Sequence, residues 1–298
     1  MRYCSNVTPH SIPFVKVHGL GNDFLLVQET DLPAAGPGAL AARICNRHCG
    51  VGADGLVVLG ASTRADASYR IYNSDGSEAG LSGNGLRCAA AWLRRRDPRG
   101  AARFALDTKV GLRELYFLRT ERGAAVFRAE IGRPSFRASD VPFCPPCAAT
   151  EPVVSFPLPV GEREVPVVVL SMGNPQCITF VQDFADAGWL RLGEEMERHP
   201  YFPDRANIGF VRVLHTQGIE ARFWERGAGH TPASGTGSCA CAVAAHLSGR
   251  TGRKVTVALE LGEMEVFWRE DGMVELTGPA QITAEGSYLW PESATGEN

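Results

Sequence analysis

The sequence predicts an α+β fold of two pseudo-symmetric halves, each a curved, mostly antiparallel sheet wrapped around a central helix. Three observations point there. A Gly-rich turn followed by a small, apolar run occurs twice: Ser82-Gly83-Asn84-Gly85 opens Leu86–Leu93, and Ser234-Gly235-Thr236-Gly237 opens Ser238–Leu247. The two serines stand 152 positions apart in a 298-residue chain, about half its length. Around them lie many short strand-like segments and few helical ones, which argues against a doubly wound parallel sheet.

Residues 13–28 read as two strands joined by a Gly-Leu-Gly-Asn turn. Residues 37–49 look helical, and the glycine turn Gly50–Gly55 leads into a strand over 56–59. Tyr69–Asn73 is a further strand; the polar turn Ser74–Ser77 then precedes the first special helix. Short alternating strands occupy 103–131, and prolines cluster in loops around 132–160. The expected halves are therefore 1–130 and 131–298. The second half repeats the plan, with strands at 163–171 and 177–182, a helix near 188–198, and strands near 207–213 and 219–224. The second special helix and strands at 254–260 and 264–268 complete it; the last strand-like piece, 273–283, is free to return to the first half. Both special helices are too apolar for a surface, so each belongs inside its sheet.

Composition narrows the function classes. A hydrophobic content of 44% with 21% charged residues describes an ordinary globular chain. The net charge of −3 supplies no basic field for nucleic acid. Arg94-Arg95-Arg96 follows a predicted helix and reads as its solvated C-terminal end. There is no apolar run of membrane-spanning length, and residues 1–12 read as a frayed tail lacking the pattern of a secretion signal. The expected compartment is the cytoplasm, and a homodimer stays open. Nine cysteines are present. Cys88, Cys239 and Cys241 fall in apolar helical runs and read as small buried hydrophobes. Cys144-Pro145-Pro146-Cys147 has metal-like spacing, but without a second pair or nearby His it reads as a rigid loop, and no metal site is expected.

The turns before the special helices carry the polar groups. In the first half these are Asn22, Asn73, Asp75, Ser77, Glu78, Ser82 and Asn84; in the second, Asn174, Gln176, Asn207, Glu225, Arg226, His230, Ser234 and Thr236. Taken singly, an Asn beside Gly or Pro is an ordinary turn former. Together they suggest a ligand. The Gly-rich helix starts leave backbone N–H groups unused at a positive helix end, a seat for a carboxylate. Arg226 could clamp a second carboxylate in bidentate fashion, and Glu225 could pair with an ammonium. The implied ligand is a small zwitterion held between two helix starts.

These residues make the sequence resemble the diaminopimelate epimerase family. The matching stretches are Val15–Val27, Asn46–Leu59, Tyr72–Cys88, Ser171–Pro175, Arg205–Phe210, Glu225–Cys239 and Thr277–Ala280, in family order along nearly the whole chain. The resemblance implies two pseudo-symmetric domains, each a curved sheet around a central helix, and an enzyme that needs no cofactor. Members invert the α-carbon of an amino acid with two cysteines: one thiolate takes the α-proton while the opposite thiol returns one. The family's substrate-binding positions are present as Asn22, Asn73, Gly83, Asn84, Asn174, Asn207, Glu225, Arg226, Gly235 and Thr236.

The departures fall on the acid–base groups. Ser82 and Ser234 occupy the two cysteine positions. Gln176 stands where the family has His, and His230 where Gly-Ala-Gly is followed by Glu. A free thiol titrates near about 8.5 and a helix start lowers it, whereas a serine hydroxyl lies several units higher at about 1.4 kcal/mol per unit. Serine here needs a neighbour to take its proton, and Glu225 and His230 are the candidates in sequence; as a plain helix cap it needs none. Three functions follow. The first is an epimerase acting on LL-diaminopimelate to give the meso form, in lysine and peptidoglycan-precursor synthesis. The second is a related isomerase or dehydratase in which His230 or Glu225 moves the proton. The third is a non-catalytic binder of a small diacid amino acid.

Overall fold

The computed structural model describes residues 10–98, 100, 102–146 and 150–290. In chain order the first elements are β1 (His10–Gly19), β2 (Asn22–Gln28), α1 (Gly36–Ile44), β3 (Gly55–Gly60), β4 (Ala67–Asn73), β5 (Glu78–Ala79), α2 (Gly83–Arg96), β6 (Arg103–Thr108) and β7 (Gly111–Glu121). There follow β8 (Ala124–Gly132), β9 (Val153–Val160), β10 (Arg163–Ser171), β11 (Pro175–Phe180) and α3 (Gly188–Glu197). The last are β12 (Asn207–His215), β13 (Gly218–Glu225), β14 (Gly229–Thr231), α4 (Gly235–Leu247), β15 (Lys254–Leu259), β16 (Gly262–Trp268) and β17 (Val274–Trp290). The described residues fall into two compact units: those within 10–18, 23–114 and 280–290 form the first; those within 19–22 and 115–279 form the second. The chain thus changes unit within β7, upstream of residue 130, and its C-terminal strand re-enters the first unit at Ala280.

The internal repeat is visible in the pairing. In the first unit β2 and β3 are parallel, β3 and β4 antiparallel, β4 and β5 antiparallel, and β4 and β6 parallel. In the second, β11 and β12 are parallel, β12 and β13 antiparallel, β13 and β14 antiparallel, and β13 and β15 parallel. A parallel pair needs a long crossover, and the four helices supply these in the same order. Antiparallel ladders also join β1 with β17, β9 with β10 and β15 with β16.

Burial of the two Ala-rich helices follows from their composition. Ten of the 13 residues of α4 are buried, and the helix packs against β10, β11, β12, β13, β15 and β16. It is apolar nearly all round, which only an enclosing sheet can satisfy. In α2 every residue from Asn84 to Ala91 is buried. Such close seating requires glycine at the third helical position: a Cβ on Gly85 would stand 2.4 Å from the Tyr69 hydroxyl, and one on Gly237 2.9 Å from two ring carbons of Phe223.

Three expectations need correction. The segment 1–12 is not wholly a tail: His10–Ile12 belong to β1 and pair with Trp290, Leu289 and Tyr288 of β17, Ile12 being fully buried. Residues 45–49 lie beyond α1, where Asn46 Oδ1 accepts from the N–H groups of His48 and Cys49 and ends the helix in a turn. The proline-rich stretch contains a strand, β9, whose Pro157 lies opposite Pro166 of β10. Two prolines facing each other sacrifice no cross-strand N–H, so the ladder tolerates them.

Candidate active site

The two special serines are structural twins. Ser82 has backbone angles of −132° and 122°, Ser234 of −130° and 124°, and each accepts a hydrogen bond from the N–H three residues on. The Ser82 Oγ to Gly85 N distance is 3.1 Å and the Ser234 Oγ to Gly237 N distance 3.2 Å. Each hydroxyl therefore caps its helix and still has its own proton to give.

The twins differ in where that proton goes. Ser234 Oγ donates to Glu225 Oε1 at 2.6 Å, the short distance of a hydroxyl–carboxylate bond. Ser234 is buried at 4% exposure, and Ser238 Oγ donates to its carbonyl at 2.6 Å, fixing the first turn of α4. Among the described residues Ser82 Oγ has no carboxylate partner.

Around Ser234 the second unit gathers most of the residues picked from its half of the sequence. Gln176 lies opposite Asn207 in the parallel β11–β12 ladder. Its Nε2 donates to Asn174 Oδ1 at 2.9 Å and to Thr236 Oγ1 at 3.4 Å, and Asn174 Nδ2 reaches the same Thr236 hydroxyl at 3.4 Å. Gln176 Oε1 is buried and has no hydrogen-bond partner among the described residues; such an orphan costs about 1–3 kcal/mol. Asn207 Nδ2 donates to Pro175 O, and its Oδ1 accepts from Arg226 N at 3.0 Å. The exposed Arg226 side chain sends Nη1 to Asp204 O at 3.0 Å. Gly235 opens α4 directly after the serine, and Asn22 closes the short 19–22 segment of this unit.

His230 takes another direction. Its Nε2 stands 2.6 Å from Glu260 Oε1 and its ring lies edge-on to Trp189 at 5.3 Å between centroids. The Ser234 proton goes to Glu225, and His230 is paired elsewhere.

Glu197, at the C-terminal end of α3, escaped the sequence reading. It is 3% exposed. Its Oε1 accepts from Gly227 N at 2.9 Å and Arg205 Nη1 at 3.4 Å, and its Oε2 from Trp224 Nε1 at 3.1 Å. Burial works against the charge, but these donors outweigh it and hold the carboxyl below its usual range. The residue is separated from Glu225 by 28 positions, and no local motif marks it.

In the first unit several of the polar residues serve local turns. Asn73 Nδ2 donates to Ser77 Oγ at 2.9 Å, and Ser77 donates from both N and Oγ to Asp75 Oδ1. Glu78 pairs with Arg70 and Lys109. Asn84 Oδ1 accepts from Arg87 Nη2, and Arg87, fully buried, also donates to Gly83 O at 3.2 Å. Nearby, the Gly-Asn-Asp and Gly-Ala-Asp motifs lock together: Asp23 N donates to Asp54 Oδ2, Asp54 N to Asp23 Oδ1, and Arg47 spans both carboxylates. Cys88, Cys239 and Cys241 are fully buried, and burial pushes the Cys88 thiol up to about 12. Cys144 is exposed; Cys147 lies outside the described residues.

The fold has solved counterparts. A phenazine biosynthesis protein of the PhzF family from Bacillus anthracis superposes with a TM-score of 0.66 at 18% identity, covering 93% of this chain and 98% of its own. A two-unit, strand-rich architecture with buried central helices is therefore the class. Sequence comparison is sharper. The profile of the diaminopimelate epimerase family matches residues 14–135 and 168–283. A diaminopimelate epimerase from Desulforudis audaxviator is 44% identical over 93% of this chain and 99% of its own length. One from Pelotomaculum thermopropionicum is 43% identical over 92% and 98%. The chain belongs to the diaminopimelate epimerase family and is an isomerase.

Proposed function

We propose that this protein inverts the α-carbon of diaminopimelate, converting the LL to the meso form without a cofactor, with Ser82 and Ser234 in the places of the family's acid–base pair. The observation that carries the reading is the 2.6 Å hydrogen bond from Ser234 Oγ to Glu225 Oε1. A serine alone is too weak a base, but a carboxylate that receives its hydroxyl proton lets Oγ take the α-proton in the same step. The C–H electron pair stays on Cα, and the Ser82 hydroxyl supplies the proton that restores the fourth bond. Water then reprotonates the Ser82 oxygen while the Glu225 carboxyl gives its proton back to solvent, which resets the pair. Protons lost and gained balance, so only configuration changes. The helix starts at Gly83 and Gly235 supply N–H groups for the substrate carboxylates, Arg226 a cation, and Asn174, Gln176, Asn207 and Thr236 the polar frame.

Incubation with LL-diaminopimelate in deuterated water tests the reading. Deuterium entering Cα together with formation of the meso form is the expected result. Binding without any isotope uptake would leave the chain a binder and reject the epimerase reading.

A further inference from the structure

The link between Glu225 and Ser234 depends on a tight turn, and the side chains that hold this turn come from elsewhere in the second unit. Between β13 and β14 the chain reverses over residues 225–229, with left-handed backbone at Gly227 (φ 76°) and Gly229 (φ 77°). Two side chains grip it. Asn207 Oδ1 accepts from Arg226 N at 3.0 Å. Glu197 holds both flanks: Oε2 takes the Trp224 indole N–H at 3.1 Å and Oε1 the Gly227 N–H at 2.9 Å. The residues so bracketed are Glu225 and Arg226.

We propose that Glu197 is a positioning residue that holds the 225–227 turn so that the Glu225 carboxylate meets Ser234 Oγ. The role rests on the epimerase reading above. The chemistry of the site favours a carboxylate over an amide. Both Glu197 oxygens accept, from a backbone N–H and an indole N–H that are donors only. A glutamine can satisfy one of them and must turn its NH2 toward the other. The third donor, Arg205, has its backbone in the left-handed region at φ 57° and sends Nη1 to Oε1 at 3.4 Å. This ion pair adds a positive charge beside the buried carboxylate. A carboxylate with three donors at 3% exposure is dry enough to hold position, and a shift of about 1 Å in a reacting group can cost on the order of 100-fold in rate.

The test is Glu197→Gln, read in two independent ways. In the isotope-exchange assay, kcat should fall about tenfold or more, since the turn aims a proton acceptor, and KM should rise as well, since Arg226 rides on the same turn. In a crystal structure of the variant, the Ser234 Oγ to Glu225 distance should open beyond about 3.5 Å. An unchanged kcat, or a variant in which the contact stays at its present length, would overturn the role. Loss of activity with the contact intact also counts against it, because the effect then bypasses Glu225. Should the unaltered protein show no isotope uptake, the epimerase reading fails while the geometry of the variant still decides what Glu197 holds.

Discussion

Ser234 donates its hydroxyl proton to Glu225 across 2.6 Å, while its twin Ser82 has no carboxylate at that distance among the described residues. Two positions with the same backbone and the same cap are thus chemically unequal. The asymmetry originates in the strand hairpins: β13 ends in Glu225, whereas β4 ends in Asn73.

Replacement of either serine by alanine removes an N-cap and should cost about 1 kcal/mol in urea unfolding. Ser234→Ala should lose more than Ser82→Ala, because it also removes the short hydrogen bond from Ser234 Oγ to Glu225 Oε1. Deuterium uptake at Cα should slow about 10²- to 10⁴-fold in Ser234→Ala. Equal unfolding free energies for the two variants would contradict the asymmetry.

Restoring thiols makes an opposite prediction. The double variant Ser82→Cys, Ser234→Cys should exchange the α-proton faster than the unaltered protein. Its rate should climb with pH through about 7 to 8.5, as thiolate forms at the helix starts. A pH–rate profile measured by deuterium uptake checks this; a double variant no faster than the serine protein argues against proton transfer at these positions.

Asp23 contributes to the acid stability of the first unit. Burial raises its carboxyl, but hydrogen bonds and charge from Arg47 and Lys16 bring it below the usual value. A lowered folded pKa means the stabilisation is complete above the unfolded value of about 3.9 and is lost as pH falls through the folded one. Urea midpoints should therefore drop as pH is lowered below about 4, and the drop should be smaller in Asp23→Asn. At pH 7 that variant should be less stable by about 1–3 kcal/mol, the half-exposed Arg47 limiting the loss.

Gly237→Ala should destabilise the second unit by about 1–3 kcal/mol, since its methyl would meet the Phe223 ring at 2.9 Å inside a packed core. Calorimetry on the variant should show the lowered midpoint. A neutral result would mean that the ring shifts freely.

Much of this was legible in the chain itself. The apolar helices announced themselves by composition, because a run such as Cys239–Ala245 has no polar face to leave in water. Strands such as β10 showed in continuous valine runs. β9 was hidden because proline is a poor strand residue until an equally donor-poor partner, here Pro166, lies across from it. Among site residues, Asn174, Gln176, Asn207 and Thr236 sat in recognisable turns; the fold joined Asn174, Gln176 and Thr236 in one hydrogen-bonded set and gave Asn207 to Pro175 O and Arg226 N. Glu197 gave no signal, as its partners Trp224 and Gly227 lie in another hairpin.

The sequence by itself determined the repeat, the two serine-capped helices and the polar residue types beside them, since these are local matters of composition and backbone freedom. Only the tertiary structure decided the partners: Glu225 for Ser234, Glu260 for His230, and Glu197 for the turn that carries Glu225. Hydrogen bonds act over about 3 Å, and which groups come that close is set by how strands and helices pack, not by their order along the chain.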